Sequence, residues 1–284
     1  MLKKIFFAAA LLLASELIAK PVVIASIAPV EYLAKAVGGD KIEVQSLAKG
    51  DVHSYEPKPN DMKAVAKARI FIAAGLEFEE AWIPRFKASA KNLVVVKSDA
   101  KIAKLKEERG EQAEHDEKHE AHADPHVWLN PMLAITMARN ISDALIDIDK
   151  ANKDFYLENF QKLMNDLLAF DESAKNELAG LKNRKFVVYH PAWGYFAAHY
   201  DLEQISIERS GKEPKIDEMA STLKMIKDEN IKVIFADPNR SQKSAQILAS
   251  QTGAKVELLD PLGYNLLENL KIAVGAIKDA NSPK

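Results

Sequence analysis

Cysteine is absent from all 284 residues. Although export would permit disulfides, none can form, and thiolate metal ligands are excluded as well. The acylated cysteine on which a lipid anchor is built is also missing, so no lipid anchor is expected. A surplus of one charge is lacking too: 39 basic and 41 acidic residues, spread along the chain, give a net charge of −2 and no electrostatic case for a nucleic-acid partner. The N-terminal apolar stretch from Ile5 to Ala14 is too short to span a bilayer. Preceded by Lys3 and Lys4 and followed by small residues up to Ala19, it reads instead as a secretory signal peptide cut after Ala19. Export without a lipid anchor makes most sense in a periplasm, where an outer membrane retains the product.

What is present is enough for a full core. With 48% apolar residues, a chain of this length suggests two domains. Short β-branched runs alternate with helical spacing: PVVIASIAP, IEVQSLAK, RIFIAAG and NLVVVKS in the first half, then RKFVVYH, EQISIE, KVIFADP and AKVELLD in the second. The alternation predicts an α/β fold of two lobes, each a mainly parallel sheet flanked by helices. Between the halves, from Pro131 to Leu181, no strand signal occurs. Leu, Ile, Met and Phe recur there at helical spacing, and after Pro131 the segment holds no further proline, which predicts one helix, a short break near Asp149 to Asn152, and a long rigid linker helix. The expected division is a signal peptide over 1–19, an N-terminal lobe over 20–148, a linker helix over 149–181 and a C-terminal lobe over 182–284.

One segment is compositionally biased. LKEERGEQAEHDEKHEAHADPH is rich in Glu, Asp, Lys and His, and it predicts a mobile, solvated loop over 105–125. Its His115, His119 and His122 form a possible auxiliary, exchangeable metal trap, although a charged loop with incidental histidines is the plain alternative.

Four other residues sit at or near the exits of apolar runs: His53 in KGDVHSYEPKPND, His126 in ADPHVWLNP, His190 ending FVVYH and Asp260 ending VELLD. They are 73, 64 and 70 residues apart, so only the folded chain can bring them onto one ion. Ligands of open α/β sheets bind beyond the carboxyl ends of strands, and two such edges facing one another make a natural site. Three imidazoles and one carboxylate form a borderline-soft, roughly tetrahedral set that suits Zn²⁺ better than Mg²⁺ or Ca²⁺. A single histidine at a strand end is more often structural, but three in related positions favour a metal. His199, in YFAAHYDL, falls within a helical pattern and is assigned no role. The H-E-x-x-H motif does not occur, which weighs against a periplasmic zinc hydrolase. Proton competition is expected to release metal near the ordinary histidine pKa, about 6.5.

GDVHSYEPKPND, DPHVWLNP, VVYHPAWGYFAAHYDL and LLDPLG, in this order and with an acidic His loop before the second, resemble the zinc-uptake solute-binding proteins of ATP-binding-cassette importers, the ZnuA-like members of metal-binding cluster A-I. The resemblance spans nearly all of the mature chain. It implies a monomeric, non-enzymatic carrier that holds Zn²⁺ between two lobes and hands it to an inner-membrane ABC permease. His53 and His126 would come from the first lobe, and His190 and Asp260 from the second. Manganese members usually place a carboxylate where this chain has His190, which favours zinc over a Mn²⁺-specific reading. Val52 stands where some members carry an acidic residue, leaving Asp260 or a water as the fourth ligand. The alternatives are a Mn²⁺-binding member of the same family, the hydrolase, and an adhesin or interaction protein whose metal is structural.

Overall fold

Every strand is a four-residue run, and its composition decides whether it lies inside or at an edge. VVIA (β1, Val22–Ala25), IFIA (β3, Ile70–Ala73), KFVV (β5, Lys185–Val188) and VIFA (β7, Val233–Ala236) are almost wholly buried. EVQS (β2, Glu43–Ser46), VVVK (β4, Val94–Lys97), EQIS (β6, Glu203–Ser206) and KVEL (β8, Lys255–Leu258) are more exposed. Apolar runs buried on both faces mark the centre of a parallel sheet, and mixed runs mark its edges. Accordingly, the computed structural model contains two sheets of four parallel strands, ordered β2-β1-β3-β4 and β6-β5-β7-β8. It describes residues 20–106, 123–208 and 216–281. The expected signal peptide and the loop histidines His115, His119 and His122 lie outside the described residues.

The two sheets share one strand order, so each has its switch point beside its first strand, between β1 and β3 and between β5 and β7. Helices complete the layers: α1 (Ala28–Gly38), α2 (Pro59–Val65) and α3 (Glu77–Ser89) with the first sheet, and α6 (Gly194–His199), α7 (Ile216–Asp228), α8 (Lys243–Thr252) and α9 (Leu266–Asn281) with the second. Between them run α4 (Pro131–Ile148) and the 26-residue α5 (Lys153–Leu178), separated by a turn at Lys150–Asn152, as the sequence pattern predicts. Asn130 fixes where α4 begins: its Oδ1 accepts from Met132 N at 2.9 Å and Leu133 N at 3.3 Å, and Pro131 occupies the first turn.

Tyr156, Phe160, Leu163, Leu167, Phe170, Ala174 and Leu178 form the buried stripe of α5, which packs against α1, α4 and α9. One large apolar cluster therefore reaches from Val23 and Ile70 of the first sheet through this helical layer to Phe186 and Phe235 of the second. Two helices carried no clear sequence signal. In α3, Pro84 lies inside the helix, where its missing N–H interrupts the usual pattern. The other, α9, follows the last strand and covers the core with Leu266, Leu270, Ala273, Val274 and Ile277.

Candidate metal centre

The structure brings His53, His126 and His190 together. Each offers a ring nitrogen within 4.8 Å of those of the other two, and this is the one such group of metal-binding type among the described residues. Ring centroids are 5.5 Å apart for His53 and His126, 5.0 Å for His53 and His190, and 5.3 Å for His126 and His190. Each histidine arrives by a different route. His190 follows β5 at the switch point of the second sheet, and His53 lies on the loop between β2 and α2. His126 is not at a strand exit: it immediately precedes the buried helical turn Val127–Leu129. The apolar VWL run lies behind it, and that run anchors the ring from the C-terminal side.

Two of the rings are oriented by carboxylates. Asp124 Oδ1 accepts from His126 N at 2.9 Å and lies 2.7 Å from His126 Nδ1, which turns Nε2 of that ring towards the cluster. Glu208, 3% exposed at the exit of β6, places Oε2 3.1 Å from His190 Nδ1. An outer carboxylate that accepts the ring N–H fixes the ring and raises its basicity as a ligand. Arg240 completes the second arrangement, with Nη2 donating to Glu208 Oε1 at 2.9 Å and Nη1 3.0 Å from His190 Nδ1. His53 is held more lightly, through its backbone N–H donating to Asp51 Oδ1 at 3.2 Å and the buried side chain of Val52.

Nε2 of His53 and Nε2 of His190 are buried without a hydrogen-bond partner. A buried polar atom left unpaired is costly, and a shared cation would satisfy both atoms at once. Desolvation, followed by the neighbouring His126 and Arg240, lowers the pKa of His53 to about 4. The same causes, with His53 added, hold His190 well below its ordinary value. Both rings are thus neutral at physiological pH, the state a metal ligand requires. The onset of proton competition at His53 consequently moves below the 6.5 expected of an ordinary imidazole.

Asp260 stands outside this group. Its Oδ1 accepts from Asn239 Nδ2 at 2.8 Å and from Leu262 N at 2.9 Å, and Asn269 Nδ2 donates to its carbonyl. It is nevertheless tied to the histidine segment, because the indole N–H of Trp128 donates to the adjacent Pro261 carbonyl at 2.7 Å. Tyr195 makes a second link across the lobes, its hydroxyl accepting from Leu105 N and donating to Asp124 O, both at 2.8 Å. His199, the last residue of α6, is not idle: its Nε2 lies 2.6 Å from Asp171 Oδ1 of α5 and fastens the second lobe to the long helix.

The zinc-uptake complex component A periplasmic family, ZnuA, matches residues 23–280. The chain belongs to this family. A ZnuA relative from Bacillus subtilis (strain 168), named as a high-affinity zinc uptake system protein, is 30% identical over 279 residues, covering 91% of this chain and 86% of that one. A crystal structure of ZnuA superposes with a TM-score of 0.86 at 35% identity, covering 92% of this chain and 99% of that one. A mutant of the laminin-binding adhesin Lmb from Streptococcus agalactiae superposes with a TM-score of 0.81 at 27% identity, covering 92% and 99%. As in the ZnuA structures, two parallel sheets flank a long helix, and the three-histidine cluster is compatible with a ZnuA site. Asp124, Glu208, Arg240 and Tyr195, which touch the histidines or their segment, had not stood out in the sequence. Glu208 had an available signal, since it ends the EQISIE run as His190 ends FVVYH; Arg240 lies in a turn with no pattern of its own.

Proposed function

We propose that this protein captures Zn²⁺ in the periplasm, between its two lobes, and delivers it to an inner-membrane ABC permease. The observation that carries this reading is the trio of His53, His126 and His190, in which two buried Nε2 atoms lack partners and the carboxylates of Asp124 and Glu208 stand beside Nδ1 of two of the rings. A three-imidazole set suits zinc and binds Mn²⁺ less well. The fourth position falls to Asp260, after release from Asn239, or to a water. The lobes divide at 149–181, the loop histidines His115, His119 and His122 serve as an auxiliary trap, and the exported chain acts as a monomer without a lipid anchor. No helix among the described residues is long and apolar enough to cross a membrane.

Calorimetric titration of the metal-stripped protein with Zn²⁺ and Mn²⁺, repeated on His190→Ala, tests the reading. Tight Zn²⁺ binding that is lost in the variant, with weaker Mn²⁺ binding throughout, is the expected result. Mn²⁺ binding of equal strength would move the cargo to manganese, and binding that survives His190→Ala would displace the site.

A further inference from the structure

Arg240 lies on the turn after β7, where Asp237 Oδ1 accepts from Asn239 N at 2.7 Å and the Arg240 N–H donates to Asp237 O. The turn directs a guanidinium, its side chain 17% exposed, to within 3.0 Å of Nδ1 of His190. A guanidinium has N–H donors and no acceptor. Its contact with Nδ1 is a hydrogen bond only when Nδ1 presents a lone pair, and in a neutral ring that puts the proton on Nε2. Nε2 of His190 is the buried, partnerless atom that a metal would need bare. The opposite tautomer carries its proton on Nδ1, donates it to Glu208 Oε2 at 3.1 Å and leaves Nε2 free. One nitrogen cannot accept from Arg240 and donate to Glu208 at the same time. His126 faces no such choice, because the contact drawn to its Nδ1 is Asp124.

The geometry points to Arg240 as a positioning residue that limits metal affinity: in the empty protein it claims Nδ1 of His190 and holds the ring in the tautomer that cannot bind. This inference rests on the proposed role of the three histidines as metal ligands. Loading then requires His190 to pass Nδ1 from Arg240 to Glu208, with the ring proton moving from Nε2 to Nδ1 and the Arg240–Glu208 ion pair kept through Oε1. Unloading runs the other way, and the returning guanidinium assists it. A carrier that must surrender its cargo gains from a ligand whose empty state is stabilised separately.

Isotope-labelled imidazole NMR of the metal-free wild-type protein at neutral pH reads the tautomer directly. The His190 ring is expected to carry its proton on Nε2 in the wild type and on Nδ1 in Arg240→Met; a wild-type ring protonated on Nδ1 overturns the inference, even if Arg240→Met fails to fold. Zn²⁺ competition with a chelator supplies the second readout. Arg240→Met should bind Zn²⁺ up to about tenfold more tightly and release it more slowly, whereas Glu208→Gln should weaken binding by about 10–100-fold, the usual range for outer-sphere partners. Unchanged or weaker Zn²⁺ affinity in a folded Arg240→Met protein also overturns it. Absence of Zn²⁺ binding by the wild type would defeat the reading of the site as a zinc carrier, and the NMR result would still report whether Arg240 sets the tautomer.

Discussion

His53 differs from its two partners in how it is held, and its protonation gives the clearest test at the scale of one residue. Burial lowers its pKa to about 4 from the ordinary 6.5. The unfolded chain therefore takes up a proton between these values that the folded chain refuses, so the contribution to stability is present above pH 6.5 and is lost as pH falls towards 4. Its size is up to about 3 kcal/mol. An NMR titration of the metal-free protein should find the His53 midpoint near 4, and His53→Gln should flatten the fall in unfolding free energy between neutral and mildly acidic buffer. A midpoint near 6.5 would mean that the ring is solvated and the site is open. The side chain was legible in the sequence because it lies in a turn-rich loop that follows an apolar run. Its depressed pKa was not, because the burial that causes it, and the His126 and Arg240 charges that add to it, depend on segments far along the chain.

At the scale of elements, the strands were readable because four-residue β-branched runs bounded by polar turns have few other uses, and the central ones are buried on both faces. The paired helices α4 and α5 were equally plain, since their apolar residues recur at helical spacing around a break at Lys150–Asn152. Pro84 concealed α3, and the ties among elements, such as Asp171 of α5 to His199 of α6, left no trace in local pattern. The start of α4 is the junction most directly coupled to the metal centre, because Asn130 caps that helix four residues after His126. Asn130→Ala should cost about 1 kcal/mol in denaturant unfolding, and Asn130→Ser should recover most of it, since serine is a comparable cap. Equal losses in both variants would shift the role of Asn130 from capping to its contact with the Tyr195 carbonyl.

Two sheets with the same strand order suggest two units that could fold separately, but the packing argues for one. The largest apolar cluster joins residues of both sheets through α5, Trp128 of the first half donates to the Pro261 carbonyl of the second, and Tyr195 of the second half bridges Leu105 and Asp124 of the first. Separating the lobes would expose that shared core and leave the indole N–H and the bridged backbone groups to find new partners. The chain should therefore unfold in a single transition. Fluorescence from Trp82, Trp128 and Trp193, which sample the first lobe, the seam and the second lobe, should coincide with loss of circular dichroism. Zn²⁺ bound across both halves, as proposed, would act on the same equilibrium: free Zn²⁺ at about 100 times its Kd should add about 2.7 kcal/mol to the unfolding free energy of the whole chain, and His190→Ala should abolish the gain. Two separated transitions, only one of them moved by Zn²⁺, would show that the lobes are energetically independent and that a single lobe binds the metal.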